Sequence, residues 1–304
     1  MWTWGGLYHM TRKQLRRTDE FRKAKLIGLL GCGSTPGITN VMAARMARDF
    51  DTIESVGIYD AGHDPTLNED SFIPPFSIRT MLDEYEMGAP ILASGRIKEL
   101  PACSVPEEME FPAPIGRVTA VAVIHSEAAT LPAFLKSQGL RDLVFKIVYP
   151  ESVKRQLRLL SGMGFSADRP VPVNGKAVSP RRFVTAMAAQ AALAPASQPG
   201  DFEVLRVIMR GVRAGLRIER TLDCHIRPTA LLSAGSIGVG FAGAIGASLL
   251  GARRTILGAG LGAPETVIDP DVFLTELGRR KTFSFYETVS RPLAMSTKTE
   301  MEVS

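Results

Sequence analysis

The chain has 304 residues, 45% of them hydrophobic and 22% charged, and its 36 Lys and Arg against 31 Asp and Glu leave a net charge of +5. This apolar content excludes a disordered chain and is typical of a globular protein of about two domains. The charge is small and no basic run is interleaved with aromatic residues, so a nucleic-acid partner is not expected.

The cysteines and histidines are too dispersed to form a site through local spacing. Cys32, Cys103 and Cys224 are far apart and odd in number, which favours a reducing compartment, and we expect a cytoplasmic protein. No pair of Cys or His has the spacing of a zinc or iron site, so no metal is predicted.

The first sixty residues have the pattern of a parallel sheet with a covering helix. A polar, basic stretch at 11–25 predicts a helix, and the apolar run at 26–30 predicts a short buried strand. A glycine turn at 31–37 leads into a helix at 38–48, and a strand at 52–59 follows. Strand, turn, helix and strand in this order are typical of a βαβ unit.

Beyond residue 60 the elements alternate more irregularly. We predict a helix at 77–87 with Ser77 as its N-cap, and a two-residue hairpin turn at Ser94 and Gly95. Residues 191–200 are the best candidate for a linker. Further strands are predicted at 117–125, 142–149, 203–211 and 215–226, and further helices at 128–137, 151–160 and 269–279.

Residues 229–252 are an uncharged stretch long enough to span a membrane. Only eight of these 24 residues are large and apolar, and the rest are Ala, Gly, Ser and Thr, so the stretch inserts weakly on hydropathy scales. We expect a helix that packs closely against a sheet and no membrane partner. A membrane-associated protein anchored by 229–252 is the alternative.

The glycine turn at 31–37 suggests a nucleotide site, because a helix that follows a strand can offer its amides to a phosphate. However, its spacing is G-x-G-x-x-x-G, and Pro36 lacks one of the amides. A dinucleotide site, a contact at the edge of a substrate or cofactor, and a purely structural turn all stay open. At 258–262 a second glycine-rich segment precedes Pro264 and Glu265, which disfavour an anion, and we predict a glycine loop there.

Two groups of polar residues are candidates for chemistry. His125 and Glu127 follow an apolar strand, where a histidine beside a carboxylate can shuttle protons or orient a substrate. The alternative is a polar strand end with Glu127 capping the next helix. Ser77 and Arg79 lie at a predicted helix start and suit a carboxylate ligand, although an N-cap with an Arg79–Asp83 pair is the simpler interpretation.

Six segments in a fixed order carry a family resemblance. They are GCGSTPGITN at 31–40, FSIRTMLDE at 76–84, FPAPIG at 111–116, HSEAATLP at 125–132, APE at 263–265 and FLTELGRR at 273–280. In this order they resemble the saccharopine dehydrogenase family of oxidoreductases over residues 14–285.

The resemblance implies an α/β (α+β) fold in three parts. Residues 1–50 would be a remnant of the last helix, strand and turn of a Rossmann-type parallel sheet. Residues 51–285 would form a mixed-sheet substrate and dimerisation domain with covering helices, and 286–304 a tail. The resemblance also implies NAD or NADP as cofactor, a small amino-acid-like substrate, a homodimer, and hydride transfer at the C–N bond of an amino-acid-derived secondary amine.

The resemblance further assigns residues to a site. Gly33, Pro36, Gly37 and Asn40 would lie near the nicotinamide edge, and Ser77, Arg79, His125 and Glu127 would approach the substrate.

One feature of the family is not found in this sequence, namely the βαβ units with the G-x-G-x-x-G turn that hold the cofactor phosphates. We therefore expect a truncated chain that contributes the substrate-binding part and leaves the edge of its first strand unpaired. A non-catalytic binding or oligomerisation module is the alternative.

Overall fold

The computed structural model describes residue 3 and residues 7–65, 74–191 and 200–290 as a mixed α/β protein. Within these residues the helices are α1 (Tyr8–Leu15), α2 (Thr18–Lys23), α3 (Ile38–Ala47), α4 (Ile78–Glu86), α5 (Glu127–Phe134), α6 (Glu151–Gly162), α7 (Pro180–Ala191), α8 (Ala234–Gly251), α9 (Pro264–Val267) and α10 (Pro270–Gly278). The strands are β1 (Ile27–Leu29), β2 (Thr52–His63), β3 (Ala89–Ala93), β4 (Arg96–Leu100), β5 (Ser104–Phe111), β6 (Gly116–Ala122), β7 (Asp142–Val148), β8 (Val171–Val173), β9 (Lys176–Val178), β10 (Phe202–Arg213), β11 (Leu216–Ile226), β12 (Gly260–Gly262) and β13 (Phe283–Ser290).

Most of these strands form one nine-stranded sheet in the order β13-β11-β10-β2-β7-β3-β4, with the β5–β6 hairpin joined to β7 through β6. Strands β2 and β7 are parallel, and the other pairings in this sheet are antiparallel. The long hairpin of β10 and β11 matches the two strands predicted at 203–211 and 215–226.

The two faces of the large sheet are buried in different ways. Because side chains alternate along a strand, Ile58, Leu205 and Val207 share one face, and that face carries the main core beneath α3 and α8. Tyr59 and Val204 point to the opposite face, where a smaller core forms under the β5–β6 hairpin.

A second, two-stranded sheet pairs β1 with β12 in parallel. The prediction of a glycine loop at 258–262 is therefore wrong for Gly260–Gly262, which form a strand. A β-carbon on Gly28 would lie 2.1 Å from Leu261 Cδ2, so a larger residue there would force the Leu261 side chain to move. The expectation of an unpaired edge is also wrong, since Thr3 N donates to Leu29 O at 3.0 Å and Thr3 O accepts from Cys32 N at 2.9 Å.

Several local predictions match the structure and others need correction. Ser77 Oγ caps α4 by accepting from Thr80 N, and Ser94 and Gly95 turn the β3–β4 hairpin with positive φ. The helix predicted at 11–25 is two helices, α1 and α2, which are separated at Arg16 and Arg17. Strand β13 extends to Ser290, so the tail predicted from 286 begins inside the sheet. Most of the predicted linker, 192–199, and residues 291–304 lie outside the described residues.

The uncharged stretch at 229–252 contains α8, which contacts β1, β10 and β11. A β-carbon on Gly246 would lie 2.6 Å from Cys32 Sγ, so glycine at this position brings α8 against the end of β1. Among the described residues, α8 is the one helix whose length and apolar composition would suffice to cross a membrane, and 44% of it is buried against the rest of the chain.

Candidate functional site

Polar side chains gather where several strands begin or end at one edge of the large sheet. Asp60 lies near the carboxyl end of β2, and Tyr149 directly follows the parallel strand β7. Glu203 is the second residue of β10, which runs antiparallel to β2 and so begins at the same edge. The glycine turn after β1 reaches this edge, since Thr35 Oγ1 donates to Asp60 Oδ2 at 3.0 Å. Carboxyl ends of strands are where open α/β sheets place their ligands.

His125 and Glu127 are brought into direct contact beside this edge. His125 Nδ1 shares a hydrogen bond with Glu127 Oε2, and its ring stacks on Phe145 with centroids 3.8 Å apart. Glu127 is fully buried and accepts a second hydrogen bond, at 2.9 Å, from Thr39 Oγ1. The prediction that Glu127 caps α5 is wrong, because its carboxylate is turned toward His125 and Thr39. The ring is thus held in place by Nδ1, which leaves Nε2 for a ligand.

The surroundings of His125 shift several pKa values toward neutrality. Burial acts to lower the pKa of His125, but Glu127, Glu84 and Asp60 outweigh it and raise that pKa above its usual value. Burial raises the pKa of Glu84 to about 7, although His125 and Tyr149 oppose the rise. Groups that titrate near neutral pH are suited to proton transfer.

Glu84 and Tyr149 form a second buried pair in which the Tyr149 hydroxyl donates to Glu84 Oε2. The sequence analysis missed both as site residues. Tyr149 ends an apolar strand, as His125 nearly does, and that signal could have indicated it. Glu84 gave no signal, because it reads as one of several charged residues on an amphipathic helix.

Asp60 and Glu203 were likewise missed, although they face each other across β2 and β10. Their carboxyl groups are within hydrogen-bonding reach of each other, and Ser34 Oγ donates to Glu203 Oε1 at 3.1 Å. Burial raises the pKa of Asp60 to about 6, and burial together with Asp60 raises the pKa of Glu203 well above its usual value. Two such carboxyl groups in contact share a proton.

The positions predicted to lie near a cofactor are buried in the turn itself. Asn40 is fully engaged, since its Oδ1 accepts from Gly37 N at 3.0 Å and its Nδ2 donates to Glu265 Oε2 at 3.0 Å and to Thr130 Oγ1 at 3.3 Å. A β-carbon on Gly37 would lie 2.1 Å from Gly33 O, which explains the glycine at that position.

This turn does not fit the phosphates of a dinucleotide. Ile38 N already donates to Gly33 O and Ser34 O, Gly37 N is bound to Asn40, and Pro36 has no N–H. Two of the amides that a phosphate would need at the start of α3, those of Gly37 and Ile38, therefore already have protein partners.

Ser77 and Arg79 lie at the exposed start of α4. Within the described residues, no hydrogen bond or ion pair joins either of them to His125 or Glu127. The predicted Arg79–Asp83 pair is wrong, because Asp83 pairs instead with Arg181 of α7, which packs against α4.

In the described parts of the chain, no three or more His, Cys, Asp and Glu side chains come together in a group that could hold a metal ion. Glu84, Glu127 and Asp60 place their carboxyl groups around His125, and groups of this kind can exchange protons and hydrogen bonds with a ligand.

The family model of the saccharopine dehydrogenase C-terminal domain matches residues 33–282, and the chain belongs to this family. It is 26% identical over 283 residues to the carboxyaminopropylagmatine dehydrogenase of Synechocystis sp., covering 90% of this chain and 68% of that protein. It is 23% identical over 171 residues to the carboxynorspermidine synthase of Vibrio cholerae, covering 56% of this chain and 40% of that protein.

The fold is similar to that of apo saccharopine dehydrogenase (L-Glu forming) from Saccharomyces cerevisiae, with a TM-score of 0.65 and 16% identity. This similarity covers 90% of the present chain and 76% of the yeast chain. The predicted family and the predicted α/β fold class with parallel and mixed sheets are confirmed.

Proposed function

We propose that this chain forms the substrate-binding and proton-transfer part of an NAD(P)-dependent dehydrogenase that acts at the C–N bond of an amino-acid-derived secondary amine. Membership of the family supports the reaction class. The observation that carries the proposal is the buried His125–Glu127 pair, which is surrounded by carboxyl groups with near-neutral pKa values at the edge where the strands end.

The names of the two relatives support an amine substrate, since they refer to agmatine and norspermidine. An amine that carries a carboxyaminopropyl group is the product expected when an amino-acid aldehyde condenses with the amine and the resulting imine is reduced. We therefore assign an aliphatic amine and an amino-acid-derived carbonyl compound as the substrate class.

His125 supplies the proton chemistry of this condensation. When the carbinolamine of the two substrates forms, its hydroxyl leaves as water if it receives a proton, and we assign His125 Nε2 as the donor, since Glu127, Glu84 and Asp60 raise the pKa of His125 against the opposing effect of burial. Glu127 holds the ring and stabilises the imidazolium, and Phe145 limits its tilt. The nicotinamide of NAD or NADP, when bound, supplies the hydride that reduces the C–N bond.

What this chain contributes is substrate binding and proton transfer, because the start of α3 does not fit the cofactor phosphates. A binding or oligomerisation module without redox chemistry is the competing function, and the same experiment separates the two.

The test is oxidation of NADH or NADPH in the presence of aspartate semialdehyde and either agmatine or 1,3-diaminopropane. Because the start of α3 offers little to the cofactor phosphates, we expect turnover by the parent chain only at millimolar NADH or NADPH. Under those conditions kcat should fall by about a hundredfold to ten-thousandfold in His125→Gln, since a general acid contributes that much. The exposed His9 offers a matched control, and His9→Gln keeps full activity.

Turnover that is unchanged in a folded His125→Gln variant would contradict the assignment. Absence of turnover in the parent chain, with the amine still bound, would favour the binding module. Circular dichroism of each variant separates loss of activity from loss of fold.

We also propose a homodimer, as the family resemblance implies. Strand β13 ends the large sheet, and within the described residues its outer edge has no partner strand, while Tyr286 and Val289 are each 52% exposed. Unpaired edges favour association of two copies. Light scattering after size exclusion should give twice the chain mass, and a monomer at high protein concentration would overturn this proposal.

A further inference from the structure

The carboxyl groups of Asp60 and Glu203 lack a basic partner among the described residues. No Lys or Arg forms an ion pair with either, whereas elsewhere in the same sheet Arg206 binds both oxygens of Asp223 at 2.7 Å. Glu203 Oε2 is buried, no N–H or hydroxyl group of the described chain donates to it, and the hydrogen bond between the two carboxyl groups keeps the shared proton on Glu203. Two buried carboxyl groups in contact can both ionise only if a cation is present, and the described chain supplies no Lys or Arg, so a ligand that supplies the positive charge is expected here.

The two carboxyl groups are pre-positioned for such a ligand. Thr35 Oγ1 donates to Asp60 Oδ2, and Ser34 Oγ donates to Glu203 Oε1. The remaining hydrogen-bonding capacity of the two carboxyl groups is used by the proton that they share, or by a donor that replaces it. Asp60 and Glu203 are half-buried as whole residues, so the pair borders solvent, although Glu203 Oε2 itself is covered.

The charges that face this pair are predominantly acidic. Glu127 and Asp201 raise the pKa values of the pair, and His125 opposes them but is committed to Glu127. Cys224, on the neighbouring strand β11, is a neutral thiol because burial holds its pKa well above the usual value. A second anion would be repelled here, and a cation would be attracted.

We propose that Asp60 and Glu203 bind the positively charged end of the amine substrate, an ammonium or guanidinium group. This assignment rests on the proposed function, because it names the substrate group that this edge of the site recognises. An ammonium has three donors and a guanidinium five, which suits two carboxylates with one free oxygen each. The ligand cation takes the place of the proton that the two carboxyl groups share.

The proton linkage gives the binding a direction with pH. At low pH the pair is protonated and competes with the cation. As pH rises through the pKa of Asp60, at about 6, the pair ionises and the amine binds more tightly. Glu84, whose pKa is raised by burial to about 7, adds negative charge as pH rises further, and burial also raises the pKa of Asp201 above its usual value.

The experiment is isothermal titration of the parent chain and its variants with agmatine and with 1,3-diaminopropane, without nicotinamide cofactor. We expect Asp60→Asn and Glu203→Gln each to weaken binding by about tenfold or more, because each removes a charge-assisted hydrogen bond. The neutral 1,3-propanediol should not bind. Glu108→Gln, at an exposed carboxylate, is the matched control and should bind as the parent does.

Equal affinity in the parent and in both folded variants overturns the assignment. Asp60→Asn keeps an oxygen for Thr35, and Asp60→Glu keeps the charge, so partial rescue by the second variant supports an electrostatic role. If a variant does not fold, weaker binding by the parent chain at about pH 5 than at about pH 8 supports the assignment, and equal binding overturns it. If the parent chain turns over and the variants bind the amine as tightly as the parent does, only this inference is wrong. If the parent chain binds the amine through Asp60 and Glu203 but does not turn over, only the proposed function is wrong.

Discussion

Carboxylates occupy two regions of the large sheet in opposite surroundings. On β11 and the elements beside it, Asp223 is bound by Arg206, and Asp49 and Glu287 are bound by Arg220. We call these three the paired carboxylates. Near the carboxyl end of β2, the unpaired carboxylates Asp60, Glu84 and Glu203 form no ion pair with a Lys or Arg of the described residues.

The difference is visible in the pKa values of Asp49, Asp60 and Glu84. Burial acts to raise the pKa of Asp49, but Arg220 and Arg45 outweigh it and lower that pKa. For Asp60 and Glu84 burial prevails and raises the pKa to about 6 and about 7. The paired carboxylates thus stabilise the fold, whereas the unpaired ones reduce its stability at neutral pH and are available for chemistry.

Breaking a paired carboxylate should have the largest effect on stability. Asp223→Asn removes the negative charge that pairs with the Arg206 guanidinium, whose side chain is only 13% exposed and which then keeps Glu110 O and the Phe111 ring as partners, so the free energy of unfolding should fall by about 3 kcal/mol. Urea denaturation measures it. Glu108→Gln is the control, because the Arg117–Glu108 pair is largely exposed and should contribute nothing measurable. If Asp223→Asn and Glu108→Gln lower the free energy of unfolding equally, the paired carboxylates do not stabilise the fold in the way stated above.

Neutralising an unpaired carboxylate should instead raise the free energy of unfolding. The folded-state pKa of Glu84, about 7, lies above its usual 4.5, so the parent chain loses stability as pH rises through that range. Glu84→Gln removes this loss and should raise the free energy of unfolding by up to about 3 kcal/mol above pH 7, with little change near pH 4.

Urea denaturation of Glu84→Gln at several pH values provides the measurement. Glu151→Gln is the control, since Lys154 holds the pKa of that exposed carboxylate below its usual value. A Glu84→Gln variant with the parent's pH dependence would show that Glu84 is not a source of strain.

Thr39 is the second hydrogen-bond donor to the buried Glu127 carboxylate, beside His125. Its removal tests how much that hydrogen bond contributes. Thr39→Val keeps the shape but removes the hydroxyl that donates to Glu127, and should cost about 2 kcal/mol of stability. It should also move the pH dependence of turnover, because Glu127 sets the pKa of His125. Thr185→Val is the control, because the hydroxyl that it removes donates only to Arg181 O within α7, and it should leave the pH profile unchanged. An unchanged profile in Thr39→Val would contradict a positioning role.

The smallest effect is expected at Ser77, which caps the helix that carries Glu84. Ser77→Ala should lower the free energy of unfolding by about 1 kcal/mol through loss of the cap. Amine affinity should stay unchanged, since Ser77 lies at the exposed start of α4. A strong loss of amine affinity would instead restore Ser77 to the substrate site predicted from the sequence. Glu203→Gln, measured in the same titration, provides the comparison for a true loss.

Local patterns in the sequence predicted local structure. The alternation along β10 and β11, the hairpin turn at Ser94 and the cap at Ser77 each depend on neighbouring residues, and each is present. Strand β12 could not be predicted, because three residues of Gly-Leu-Gly carry no periodicity and pair with β1 from the other end of the chain.

The same limit explains which site residues were found. His125 and Glu127 are two residues apart, so their contact could be proposed from sequence. The meeting of Asp60 with Glu203 depends on the register of β2 against β10, which no local pattern encodes. Glu84 depends on which face of α4 is turned inward.

The most direct test of the account is the number of protons exchanged when agmatine binds to the parent chain. Titration calorimetry at about pH 6, in buffers that differ in protonation enthalpy, measures that number. We predict release of about one proton per agmatine, because the cation takes the place of the proton shared by Asp60 and Glu203. Binding without proton release, or with the same affinity from about pH 5 to pH 8, would contradict the role assigned to the unpaired carboxylates.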